Sequence, residues 1–244
     1  MQSPHQRPNI SRRGFVGACG TAAAVAAAAS GRLLEPAFAL SDAPRLRLVD
    51  KTGKPIKAGA LEVNANYIFH YPYVSTPCLL LRLDAATPRN VERIDAAKAR
   101  YTWPGGVGRD GAVVAYSAIC AHLLSYNSRH ASFLTYHKAR TALSERERAI
   151  TCCAHASTYD PANGGKVVSG PAEFPLAAVQ LDYHDDSDTL SAVGLVGTVL
   201  FDKFFEAYRA DLNSEFGRGA YRELLQDRTV VRPIAEYSEA VVGC

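Results

Sequence analysis

Two short pairs, Cys120-Ala121-His122 and Cys152-Cys153-Ala154-His155, constrain this chain more than any other feature. Each puts one sulfur and one imidazole on a single turn of chain. If both pairs serve one centre, the fold must bring together two loops whose intervening segment, between His122 and Cys152, is 29 residues long. Loops held that accurately are carried on a rigid scaffold.

The rest of the chain offers such a scaffold. From Leu40 onward most segments are short, rich in Val, Leu, Ile and Tyr, and separated by turn residues. Residues 45–49, 67–71, 78–83, 112–117, 166–169, 177–183 and 191–196 are predicted strands. Gly105-Gly106 and Asn163-Gly164-Gly165 punctuate them as turns. Short strands in this number predict an all-β sandwich or barrel. Residues 91–100 and 131–147, charged and Ala-rich, read as helical or loop insertions. The tail differs in kind. Phe201, Phe204, Phe205, Tyr208, Leu212 and Phe216 form one apolar stripe on a helix of about four turns, which packs either on the β domain or on a partner.

The first 39 residues stand outside this pattern. Arg12-Arg13 with Phe15, an alanine-rich run to Ser30, and Ala37-Phe38-Ala39 follow the order of a signal peptide, with the paired arginines of the bacterial twin-arginine export route. That route carries folded proteins, which suits a chain loaded with its cofactor before export. Cleavage after Ala39 is expected, and the run from Phe15 to Ser30 is shorter than the roughly 20 apolar residues of a membrane span. The apolar run also follows Cys19 instead of preceding it, which argues against a lipoprotein. Without residues 1–39 the net charge of +3 falls to zero, so nothing in the charge suggests nucleic-acid binding. The expected organisation is a signal peptide (1–39), a β domain (40–197, with the paired loops within about 117–175) and a C-terminal extension with an amphipathic helix (198–244).

Five cysteines then remain, Cys78, Cys120, Cys152, Cys153 and Cys244. An odd number makes a poor disulfide framework in an oxidising compartment. Cys78 reads as a small buried residue and Cys244 as a surface tail residue. Two thiolates and two imidazoles, one of each per loop, match a 2Fe–2S cluster with one iron held by sulfur and the other by nitrogen. Zinc is the competing centre, but structural zinc sites pair like ligands at C-x2–4-C and H-x3–5-H spacings. Cys120, His122, Cys152 and His155 are therefore the candidate ligands.

Residues 152–159, Cys-Cys-Ala-His-Ala-Ser-Thr-Tyr, continue into Asp160-Pro161, Gly164-Gly165 and Gly170-Pro171-Ala172. This run resembles the second cluster loop of Rieske proteins, in which a glycine turn leads to a proline loop covering the cluster. Gly105-Gly106-Val107-Gly108 ahead of residues 113–120, together with the leader, more specifically resembles the small subunit of bacterial arsenite oxidase. The resemblance covers roughly residues 46–197. It implies a β-sandwich or barrel with a small cluster-binding subdomain, one Rieske-type cluster, and a molybdopterin-containing catalytic subunit as partner. It also implies that His122 and His155 lie nearest the surface, that Ser157 donates to a bridging sulfide, and that Tyr159 donates to the sulfur of Cys120. Rieske proteins of the cytochrome bc complex join one extra cysteine from each loop; Ser125 and Ala154 stand at those places, so that bridge should be absent. The C-x-x-H spacing selects Cys152 as the ligand, while Cys153 stands where many members have proline. His130 and His137, in the segment between the loops, read as solvated.

The expected role is a periplasmic electron-transfer subunit, with no substrate chemistry of its own and a soluble cytochrome or cupredoxin as acceptor. The alternative is the Rieske subunit of a quinol-oxidising cytochrome bc-type complex, which would keep the leader as a membrane anchor. A Rieske oxygenase also needs a mononuclear iron held by two histidines and a carboxylate. After His155 the chain has only His184, so that site cannot be built there.

Overall fold

The computed structural model describes residues 43–244; the expected signal peptide (1–39) and the cleavage expected after Ala39 lie outside the described residues. The strands are β1 (Leu46–Val49), β2 (Tyr67–His70), β3 (Pro77–Arg82), β4 (Val91–Ile94), β5 (Arg100–Trp103) and β6 (Val113–Ser117). After the first Cys/His loop come β7 (Ala131–Ser132), β8 (Leu134–His137) and β9 (Ala149–Cys152). The second loop leads into β10 (Ser157–Asp160), β11 (Lys166–Ser169), β12 (Ala178–His184) and β13 (Thr189–Val196). Helices α1 (Phe201–Ala207) and α2 (Arg209–Phe216) precede β14 (Arg228–Val230), β15 (Arg232–Pro233), the short α3 (Ile234–Tyr237) and β16 (Ala240–Val241).

Eight strands form one sheet in the order β14-β1-β13-β12-β6-β3-β2-β15. Only Val231 separates the two edge strands in the chain. Thr229 of β14 reaches across to β2, since its Oγ1 donates to the carbonyl of His70 at 2.8 Å and accepts from the His70 amide at 3.2 Å. The sheet is a nearly closed barrel. Strands β3 and β6 are mostly apolar because both of their faces are covered. Side chains alternate with the pleat: Cys78 and Leu80 of β3, with Val113 and Ala115 of β6, enter one core, whereas Leu79, Leu81, Val114 and Tyr116 enter a second.

That second core supports the candidate site. A four-stranded sheet, β11-β10-β9-β8, lays Leu134, Tyr136, Ile150, Cys152 and Tyr159 onto the outward face of β3 and β6. The Tyr116 hydroxyl donates to the carbonyl of Pro161 at 2.7 Å, pinning the small sheet to the large one. The fold is all-β, as the segment pattern predicts, and it has the small subdomain that the resemblance implies.

Three expectations change. Residues 91–100 and 131–147 carry no helix: β4 pairs β5 as a hairpin, and β7 and β8 occupy the start of the second segment. Charged side chains fit there because β4 is covered on one face only, with Val91 and Arg93 half-buried and Glu92 and Ile94 exposed. The tail helix is broken at Tyr208, whose backbone (φ −108°, ψ 20°) ends α1 and begins α2. Finally, residues 198–244 are woven into the body instead of standing apart as an extension, and of the two places expected for the aromatic stripe it takes the β domain. Phe201, Phe204, Phe205 and Leu212 are buried in the first core, β14 pairs β1, and β15 pairs β2.

Candidate iron–sulfur site

The two loops are built alike. In the first, the Leu124 amide donates to the carbonyl of Cys120 at 3.1 Å; in the second, the Ala156 amide donates to that of Cys152 at 2.9 Å. Each turn reverses through a left-handed residue four positions after the cysteine, Leu124 (φ 61°) and Ala156 (φ 58°). Non-glycine residues rarely adopt this conformation. Its recurrence in both loops shows that the turn is imposed by what surrounds it. The Cys120 amide donates to Ser125 across the base of the first loop, and Ser157 pairs with Cys152 across the second.

This geometry brings the four sequence-predicted donors together. Cys120 and Cys152 are fully buried. They hydrogen-bond to each other, which pulls the Cys120 thiol below the usual thiol range, while the same bond and burial push Cys152 up. Two buried thiols this close to each other cannot both ionise unless a cation takes up the charge. The imidazoles of His122 and His155 lie on the outer side, centroids 5.2 Å apart and nearly perpendicular. His155 is exposed and His122 half-buried. Nδ1 of His122 is itself buried with no hydrogen-bond partner. Sulfur inside, nitrogen toward solvent and an orphaned ring nitrogen together fit a mixed-ligand cluster.

Ser157 and Tyr159 are also fully buried here. The Tyr159 hydroxyl lies 3.2 Å from Cys120 Sγ and accepts from the Ala121 amide at 3.2 Å. Because its oxygen already accepts, its proton is available to the sulfur. Burial pushes the phenol's pKa up, so it stays protonated. Ser157 Oγ is buried without a partner, as a donor to an inorganic sulfide would be in protein alone.

A third segment closes over the loops. Gly170 (φ 84°) lies so close to the second loop that a Cβ there would sit 2.3 Å from the carbonyl oxygen of Ala156 and 2.6 Å from the Cα of Ser157. Pro171, next to it, lines a groove together with His122, Leu123 and Phe174. Gly170→Ala therefore combines a forbidden approach to backbone with an unfavourable φ. It is expected to cost more than about 2 kcal/mol and to lower the iron content of purified protein, measured by thermal melting and iron assay.

Two readings of the cysteines and histidines are corrected. Cys244 is not a free tail residue: it forms a disulfide with Cys153, 91 positions earlier, with Cα atoms 5.1 Å apart. Parity would have indicated it, because removing two ligands and buried Cys78 from five cysteines leaves one pair. His137 is not a solvated loop residue. It ends β8 beside that disulfide, and its Nε2 is 2.7 Å from Thr135 Oγ1. His130 is exposed, as expected. Cys78 is buried, with Sγ directed at the carbonyl of Tyr71.

Residues 82–180 match the family model described as the Rieske [2Fe-2S] domain, a span that contains both loops and the covering segment. Among solved structures the chain is similar to the soluble domain of Rieske protein II (soxF) from Sulfolobus acidocaldarius. The identity is 28%, over 64% of this chain and 80% of that chain, with a TM-score of 0.43. Residues 82–180 are a Rieske [2Fe–2S] domain, an electron-transfer module built for one cluster of that type.

Proposed function

We propose that Cys120 and Cys152 hold one iron and His122 and His155 the other, and that the chain is the periplasmic electron-transfer subunit of a molybdopterin oxidoreductase of the arsenite-oxidase type. Such a cluster takes up and releases one electron at a time. The protein supplies the rest. Buried Leu134, Ile150 and Tyr159 keep water from the sulfur end, and the two loop backbones fix the donors before the centre is assembled. The observation that carries an electron-exchange role is the exposed imidazole edge. His155 is open to solvent, and Leu123 beside His122 is 57% exposed, which leaves an apolar rim for a partner to meet. The leader motif and the glycine run at residues 105–108 support the oxidoreductase partner and the export route. Among the described residues no helix is long and apolar enough to cross a membrane.

Purification of the native protein under mild conditions, with mass spectrometry of what accompanies it, tests this assignment. A molybdopterin protein in the complex is the expected result. Recovery from washed membranes with residues 1–39 intact, alongside a b-type cytochrome, would replace it with the quinol-oxidising reading.

Ser157 and Tyr159 tune the potential. A donor aimed at cluster sulfur stabilises the more negative, reduced state, so each hydroxyl raises the potential. A bond that strengthens by about 1–2 kcal/mol on reduction corresponds to roughly 40–90 mV for one electron. Ser157→Ala and Tyr159→Phe are each expected to lower the midpoint by that amount in a redox titration. The two shifts need not add, because they act on one charge. Shifts below about 15 mV in both would remove the hydroxyls from the tuning of the site.

A further inference from the structure

The C-terminal residues run beside the site, and three sets of contacts make them part of its frame. Tail amides bond the segment that leaves the first loop: Glu239 donates to Arg129 at 2.7 Å, Ala240 to His130 at 3.1 Å and Val242 to Ser132 at 2.9 Å. Here β16 pairs in parallel with β7. The buried Ser238 hydroxyl adds bonds to Ser132 Oγ at 2.7 Å and to the carbonyl of Ser128 at 2.5 Å. The same segment is tied back to the first loop by the fully buried Asn127, whose amide donates to Ala118 at 3.1 Å. Asn127 Oδ1 accepts from Phe133 and Leu134. The last residue, Cys244, then crosses to the second loop through the disulfide to Cys153, which directly follows Cys152.

We propose that residues 238–244 are a clamp holding the second cluster loop against the first, locked by the Cys153–Cys244 bridge. Cys153 and Cys244 are thus positioning residues for Cys152 and His155. No direct loop-to-loop bridge is available, since Ser125 and Ala154 carry no thiol, and the tail makes the connection by a longer path. Without the bridge, residues 153–156 are tied to this frame by the Cys153 amide bond to Phe133, the neighbouring Leu134–Cys152 pairing and the loop's own turn. Both cysteines are half-buried, so a small dithiol can reach them. Such a reagent would pass two electrons and two protons to the bridge, becoming a cyclic disulfide itself and leaving two protein thiols. The clamp would then open.

The consequence for the cluster rests on the proposed ligation, but the clamp is tested without it. Amide hydrogen exchange is measured on the apo protein, wild type against Cys244→Ser and Cys153→Ser. Exchange within residues 152–157 is expected to rise about tenfold relative to the β12 and β13 amides, because the loop opens locally. Dithiothreitol on wild type should reproduce the rise on an already folded chain and add nothing to Cys244→Ser. In the iron-loaded protein, loss of visible absorbance to a chelator should accelerate about tenfold in both variants, following the same local opening. An unchanged rate at residues 152–157, or a rise no larger than that of β12 and β13, would overturn the clamp. A wild-type protein that never holds iron would instead sink the ligation and leave the exchange comparison standing.

Discussion

Cys152→Ser is expected to give a folded, colourless protein whose iron falls from about two atoms per chain to near zero. The large effect follows from where Cys152 sits. It is fully buried and faces Cys120, so solvent cannot reach in to replace a lost thiolate. The fold should survive because the first core, with Leu46, Phe69, Leu80 and Val179, lies on the other face of the sheet. Cys153→Ser, one residue away, should retain two irons when freshly prepared, since its sulfur belongs to the bridge. His155→Cys should leave protein without the mixed-ligand spectrum. Iron and acid-labile sulfide assays with circular dichroism separate loss of the cluster from loss of fold.

Truncation after Val199 should yield insoluble protein. It removes Phe201, Phe204, Phe205 and Leu212, each no more than 5% exposed. At about 1.5–3 kcal/mol per buried side chain the loss is roughly 6–12 kcal/mol, comparable to the entire net stability of a domain. It would also strip the support beneath the first loop. Tyr126, which bridges to Ile119, packs edge-on against Phe204 and Tyr208, both at 4.8 Å. A soluble, iron-bearing fragment ending at Val199 would show that the aromatic stripe is dispensable to the fold and free to serve a partner. Soluble fraction and iron content of the expressed fragment decide between the two.

The parts legible in the sequence share a physical cause. Strands such as β3 and β6 were readable because they run apolar between two cores, whereas the largely exposed β11 was marked by the turn glycines that precede it. The four candidate donors stand out because cluster chemistry demands residue types at short spacings that few other functions use. Elements held by long-range partners were not readable. β14, with Arg228, Thr229 and Val230, has no strand signature of its own and exists because β1 and the backbone of His70 complete it. The β4 and β5 hairpin looks helical by charge, yet cross-strand pairs such as Val91 with Trp103 decide it. The break at Tyr208 is invisible to periodicity, because hydrogen bonding continues across it from Leu212 to Tyr208. The disulfide is legible by cysteine count alone, not by local pattern. No local feature of Cys244 marks it as the partner of a residue 91 positions earlier.

Electron paramagnetic resonance of the dithionite-reduced protein, after anaerobic purification with metal analysis, tests the ligation most directly. Two sulfurs buried beneath two outward imidazoles should give the low-average-g signal of a cluster with mixed cysteine and histidine ligands, with about two irons and two acid-labile sulfides per chain. Stoichiometric zinc without iron, or the spectrum of an all-cysteine cluster, would contradict the assignment of Cys120, His122, Cys152 and His155.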